Sequence, residues 1–153
     1  MNRENLELMK DINGSIIKIR GAYAEWTKRQ NRNYYEMLIF YSLRENTTCT
    51  QSQICTNYCV PKQSINNIIK SLHENDYICF LENDQNKRSK KIQLTSKGKT
   101  YYDSLIQPLS HLEENAVKLM GPDKLLEMTK LSLSYADIIT KVLLNDKEQT
   151  YEK

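Results

Sequence analysis

Apolar residues at Leu6, Met9, Ile12, Ile16, Ile17, Tyr23 and Trp26 keep a helical spacing, which predicts a long first helix ending near Thr27. The polar run Lys28 to Asn33 stops it. Tyr34 to Leu43 is apolar nearly all round, as in a helix buried at the centre of a small helical core, and Glu45 to Thr48 reads as a loop. Thr50-Gln51-Ser52-Gln53 sets a hydroxyl three residues before a glutamine, the reciprocal arrangement of a capping box, so a short helix runs from there to Tyr58. Pro61, with its fixed φ and no amide hydrogen, suits the first turn of the next helix. That helix reaches Glu74 and buries Ile65, Ile68, Ile69 and Leu72 on one face.

Its other face carries Lys62, Gln63, Asn66, Asn67 and Lys70, all hydrogen-bonding side chains. Two helices joined by a tight turn, the second with a polar, basic front, form a candidate helix-turn-helix. Tyr77 to Leu81 and Lys91 to Leu94 read as strands, and the polar, turn-prone Glu82 to Lys90 joins them into a hairpin, or wing. Thr95 can cap the next helix. Gly98, Tyr102, Leu105, Leu109, Leu112, Ala116 and Leu119 then form a seam of the kind that packs along another helix, with Pro108 inside it expected to kink it. Gly121-Pro122 ends that helix and starts another, whose Leu126, Thr129, Leu133, Ala136, Ile139 and Leu143 share a face. The tail from Asn145 is polar and expected to fray.

Composition narrows the function classes. The chain of 153 residues, 39% apolar, suits a single domain, 1–153. The absence of an apolar run points to the cytoplasm and away from a membrane. Net charge is only +3, but between Pro61 and Thr100 eight bases stand against four acids, while the rest of the chain sums to −1. A basic middle suggests that this part faces a polyanion. Cys49, Cys55, Cys59 and Cys79 form no CxxC pair and are expected to be free thiols. His73 and His111 have no ligand spacing, so neither a metal nor a cofactor is expected. With no GxSxG, HExxH or phosphate loop, the sequence does not read as an enzyme.

Pro61 to Lys70 (PKQSINNIIK) resembles the recognition helix of the MarR (multiple antibiotic resistance regulator) family, and Lys87 to Gly98 (KRSKKIQLTSKG) resembles that family's wing and following helix cap. The sharpest features are Arg88, six residues before Leu94, and the Leu94-Thr95-x-x-Gly98 run. Asn86 stands where the family usually has an aspartate that braces the wing arginine, leaving Asp84 as the nearest substitute, and Asn67 stands where many relatives carry an arginine. The resemblance implies a mainly α fold with a small β-hairpin wing: a winged helix-turn-helix DNA-binding part at 34–95, flanked by dimerisation helices at 1–30 and 96–145. It also implies a homodimeric transcription regulator, expected to be a repressor.

The residue chemistry agrees with that implication. A major groove admits one helix, and base edges are read there by side chains offering two hydrogen bonds, as Gln63, Asn66 and Asn67 do, with adenine the best match. Lys62 and Ser64, near the helix N-terminus, suit phosphates, and Lys70 belongs to the same DNA-facing set. Arg88 suits a narrow, A·T-rich minor groove, with Lys87, Lys90 and Lys91 flanking the backbone. The expected partner is therefore double-stranded DNA bearing an A·T-rich palindrome, since a half-site reader needs a partner about one DNA turn away. Tyr23, Trp26, Tyr34, Tyr35 and Tyr41 are candidates for a pocket that takes a small aromatic effector, as relatives do. Core packing is the competing reading for these aromatics. Thiol oxidation is a second route to regulation, and a winged-helix protein-interaction module without specific DNA binding is the alternative function.

Overall fold

The computed structural model describes residues 3–82 and 89–150. Six helices and three short strands follow in the order α1 (Arg3–Arg29), α2 (Tyr34–Glu45), β1 (Cys49–Thr50), α3 (Gln51–Tyr58), α4 (Lys62–Glu74), β2 (Ile78–Leu81), β3 (Lys91–Leu94), α5 (Ser96–Met120) and α6 (Pro122–Thr150). Among the described residues no helix is long and apolar enough to cross a membrane. The chain divides into two compact units within α5, between Gln107 and Pro108.

The first unit is built around α2, whose Met37, Leu38, Ile39, Phe40 and Leu43 are all buried. Its apolar surround therefore means what the sequence suggested. Cys49 of β1, Ile54 of α3, Val60 between α3 and α4, Ile65, Ile69 and Leu72 of α4, Ile78 of β2, Ile92 of β3 and Leu105 and Ile106 of α5 are buried with them. Ile68, expected on the buried face, is only half-covered.

The helix ends are set by local hydrogen bonds. Asn33 caps α2 by accepting from the Tyr35 amide at 2.8 Å. Thr50 and Gln53 form the expected capping box, with N–H to side-chain distances of 3.2 and 2.7 Å. Three helices end on a left-handed residue that is not glycine: Asn31 (φ 54°), Cys59 (φ 50°) and Asp76 (φ 60°). In each case the next amide reaches back to the carbonyl five residues earlier, Arg32 to Thr27, Val60 to Cys55 and Tyr77 to Leu72, the pattern of a Schellman turn.

Several boundaries differ from expectation. α1 runs two residues beyond Thr27 to Arg29, and α2 reaches Glu45. Pro61 stands just before the first turn of α4 as its cap, in extended conformation (φ −61°, ψ 132°), because α3's turn must finish before a helical ψ can begin. The strand expected from Tyr77 starts at Ile78, since the Tyr77 amide is committed to closing α4. β1, where the sequence signals only the helix cap at Thr50, makes the sheet three-stranded in the order β1-β3-β2, antiparallel throughout. Cys49 pairs with Ile92 and Thr50 with Lys91, while Ile78 pairs with Leu94 and Leu81 with Lys91.

In α5 the expected seam is buried at Gly98, Leu105 and Leu109, but Leu112 and Leu119 are exposed. The second unit consists of the rest of α5 and α6, joined at Gly121 (φ +89°), whose amide donates to Val117 O at 2.8 Å. Positive φ at this turn suits a residue without a Cβ. α6 continues past Asn145, where fraying was expected, to Thr150. Leu126, Leu133, Ile139 and Leu143 share one of its faces and are 45–63% exposed.

Candidate nucleic-acid interface

α3 and α4 form the helix-turn-helix, and α4 is sharply two-faced. Ile65, Ile69 and Leu72 point into the core, while Lys62, Gln63, Asn66, Asn67 and Lys70 are exposed and Ser64 is half-buried. Gln51 Nε2 donates to the Lys62 carbonyl at 3.0 Å, tying the start of α3 to the start of α4. Pro61 offers no side-chain cap, so the first amides of α4 lack the internal partner that a serine or aspartate would supply. Such amides, with the positive end of the helix dipole, suit a phosphate oxygen. Lys70 Nζ lies 3.7 Å from Glu74 Oε1, an exposed pair that water screens strongly.

The wing is joined to α4 at two places. His73 Nδ1 is 3.1 Å from the Ile78 carbonyl, and its ring packs on Phe80 with centroids 4.6 Å apart, which gives this histidine a structural role. Lys90 Nζ is exposed and stands 5.5 Å from the Phe80 ring centroid. Lys91 is half-buried in β3. Lys87 and Arg88, with Asp84 and Asn86, lie outside the described residues.

Tyr23 of α1, Tyr34, Met37, Leu38 and Tyr41 of α2 and Tyr58 of α3 line a cavity of about 320 Å³. Three of the five aromatics singled out in the sequence are brought together there. Trp26 and Tyr35 are not among the lining residues. Tyr35 follows Tyr34 by one helical step, about 100° round α2, and meets the Tyr34 ring edge-on, centroids 6.0 Å apart. Tyr58 was missed because it was read only as the end of α3. α2 thus shows one face to the cavity and the opposite face, with Glu36 and Phe40, to Tyr101 of α5.

The four cysteines are free. Burial pushes the Cys49 thiol up to about 11, and burial also raises Cys55, partly offset by the charge of Lys62. Cys59 is exposed. Among the described residues no group of three or more His, Cys, Asp or Glu side chains is arranged to hold a metal.

No protein-family model matches the chain. It is 24% identical over 145 residues to an uncharacterized HTH-type transcriptional regulator of Staphylococcus aureus (strain MRSA252), covering 91% of this chain and 99% of that protein. The structure of a MarR family regulator from Neisseria meningitidis superposes with a TM-score of 0.82 at 21% identity, covering 95% of this chain and 99% of that one. Reduced AbfR bound to DNA superposes with a TM-score of 0.69 at 17% identity, covering 91% and 99%.

Proposed function

We propose that this chain, whose fold is the winged helix-turn-helix of MarR family regulators, is a sequence-specific double-stranded DNA-binding transcription regulator that works as a homodimer. The observation that carries the reading is the exposed polar face of α4, three amide side chains and two lysines, set beside an uncapped helix start and a basic hairpin. In this reading Gln63, Asn66 and Asn67 read base edges in the major groove, while Lys62, Ser64 and Lys70 hold phosphates. Arg88 enters the adjacent minor groove, with Lys87, Lys90 and Lys91 along the backbone.

Dimerisation is supported by apolar surface that a lone chain leaves open. Leu6, Ile16 and Ile17 on α1 and Leu126, Leu133, Ile139 and Leu143 on α6 are all more than 40% exposed. Exposed apolar surface on this scale marks an interface. A second copy covers it and sets two α4 helices about one DNA turn apart, which requires a palindromic operator, here A·T-rich.

The reading includes repression by operator occupancy, relieved when a small aromatic ligand enters the cavity lined by Tyr23, Tyr34, Tyr41 and Tyr58 and shifts the spacing of the two α4 helices. Burial raises the Cys49 and Cys55 thiols and so disfavours their thiolates, the reactive form, while Cys59 is exposed and is the thiol at which oxidation would act as a second input.

Selection of bound duplexes from a random pool tests the core of the proposal, followed by titration of the winner against scrambled DNA at two salt concentrations. An A·T-rich palindrome that outcompetes scrambled DNA is the expected result. If no sequence is enriched and all binding vanishes with salt, the assignment fails and the protein-interaction module takes its place.

A further inference from the structure

Tyr77 is the residue at which α4, the wing and α5 meet. Its N–H donates to the Leu72 carbonyl in the last turn of α4 (2.9 Å), its own carbonyl accepts from the Thr95 N–H at the start of α5 (3.1 Å), and β2 begins at the next residue. Its ring is stacked on Tyr101 of α5, with centroids 3.9 Å apart and planes 9° apart. Because Tyr77 takes one face of the Tyr101 ring, the Arg32 guanidinium, 4.2 Å from that ring's centroid, must lie over the other. By the same argument Lys97 Nζ, 5.0 Å from the Tyr77 centroid, covers the far face of Tyr77. The four side chains form a column with a cation at each end, an arrangement favoured by the negative faces of both rings.

Both ends and the middle of the column are anchored. Arg32 Nη2 donates to Ser104 Oγ at 3.3 Å, and Lys97 Nζ donates to the Asn75 carbonyl at 2.8 Å. The Tyr101 hydroxyl donates to the carboxylate of Glu36 in α2, and the Phe40 ring meets Tyr101 at a steep angle, centroids 5.9 Å apart. Glu36 is only 8% exposed and its Oε1 has no hydrogen-bond partner among the described residues, so loss of the Tyr101 hydroxyl would leave a buried carboxylate poorer still. Burial, the Glu36 bond and the Glu36 charge push Tyr101 up to about 12 against the opposing pull of Arg32, so the hydroxyl stays protonated and able to donate near neutral pH.

We infer that Tyr101 is a positioning residue for DNA binding: gripped between Arg32 and Tyr77 and held by Glu36, it sets the direction in which the wing leaves the end of α4. This role rests on the DNA-binding reading above. α4 and the wing tip must reach adjacent grooves of one duplex, and the strands beyond Tyr77 extend roughly 13 Å, so a tilt of about 10° at their base moves their far end by roughly 2 Å. A displacement of that size breaks a hydrogen bond.

The test uses the full chain and two readouts on wild type, Tyr101→Leu and Tyr101→Phe. Amide hydrogen exchange in β2 and β3 should quicken on the order of tenfold when leucine removes the stack, with α3 unchanged, and phenylalanine, which keeps the stack but loses the Glu36 bond, should fall between. Affinity for the duplex selected by wild type should drop about tenfold in Tyr101→Leu, with a shallower salt dependence approaching that of Arg88→Ala. Should leucine quicken exchange across α3 and α4 as well, the fold itself has loosened and the phenylalanine variant decides. Unchanged wing exchange in both variants overturns the clamp. Faster wing exchange with undiminished affinity overturns the positioning role. If wild type selects no duplex, the DNA-binding reading falls and the positioning role with it, while exchange still reports whether Tyr101 holds the wing.

Discussion

The Cα of Gly98 lies so close to the carbonyl of Tyr77 that a Cβ at position 98 would overlap the Tyr77 oxygen. Thr95 holds the two together: its N–H donates to that same carbonyl, its hydroxyl donates to the Asp76 carbonyl at 2.7 Å, and the hydroxyl oxygen accepts the Gly98 N–H at 2.9 Å. The Leu-Thr-x-x-Gly run is therefore a packing requirement, in which the threonine caps α5 and the glycine lets the end of α4 pass. Because the obstructing atom is backbone, Gly98→Ala must push the wing base away from α5. A loss on the order of 2–3 kcal/mol is expected, read as a lower midpoint in urea. An unchanged midpoint would mean that the approach of α5 to Tyr77 is looser than described.

The capping box at the start of α3 supplies a smaller effect. Thr50→Ala removes the acceptor for the Gln53 amide, and about 1 kcal/mol of stability should go with it. Thr50→Ser retains the acceptor and should stay close to wild type in the same urea titration.

Cys59 sits at φ 50°, a region that disfavours any side chain with a Cβ, and its thiol makes a long contact, 3.7 Å, to the Thr56 carbonyl. Cys59→Gly should therefore stabilise the protein by roughly 0.5 kcal/mol, relief of strain outweighing the entropy that glycine gains in the unfolded chain. Thermal unfolding of the two proteins side by side measures it, and a lower Tm for the glycine variant would contradict the argument.

Alkaline pH should weaken the fold over a defined window. Burial first, then the Glu36 bond, holds Tyr101 at about 12 against an ordinary 10.0, and burial holds Cys49 at about 11 against 9.0. Both groups keep their protons longer in the folded chain than in the unfolded one, so their contribution is whole below about pH 9 and is lost as the pH rises towards 12. Urea midpoints from pH 8 to 12 should fall across that range, with Cys49→Ala flattening its lower part. At pH 8 iodoacetamide should label exposed Cys59 well before Cys49.

On DNA, Asn66 and Lys62 should separate by the kind of loss each causes. Asn66→Ala is expected to cost about 1–3 kcal/mol at one operator position and to relax base preference there, whereas Lys62→Ala should weaken all sequences alike and lower the salt slope by about one. Competition with single-base operator variants at two salt concentrations distinguishes them. Identical behaviour of the two variants would count against α4 as the reading helix.

Much of the fold was legible in the chain because its signals are local. The Thr50–Gln53 box, the Thr95 cap and the Gly121-Pro122 break each act within a few residues, and the two-faced pattern of α4 repeats every three or four. β1 was not legible: two residues have no period, and Cys49 and Thr50 become a strand only when Ile92 and Lys91 lie alongside. The cavity was legible in part, since aromatic content marked Tyr23, Tyr34 and Tyr41 but could not say which side of α1 and α2 each would face. Tyr58 required the end of α3 to arrive beside them.

By itself, then, the sequence determined the order of the elements, their caps and the polar face of α4, all of which follow from backbone geometry and hydrogen bonds between near neighbours. Only the tertiary structure decided that Arg32, in a stretch that reads as a helix stop, lies over Tyr101 and bonds to Ser104, and that Glu36, in a helix apolar nearly all round, serves the Tyr101 hydroxyl. Such pairs stand more than sixty residues apart in sequence. No repeat in the chain links them, and of these groups only Glu36 is buried, so that its carboxylate has the Tyr101 hydroxyl in place of water.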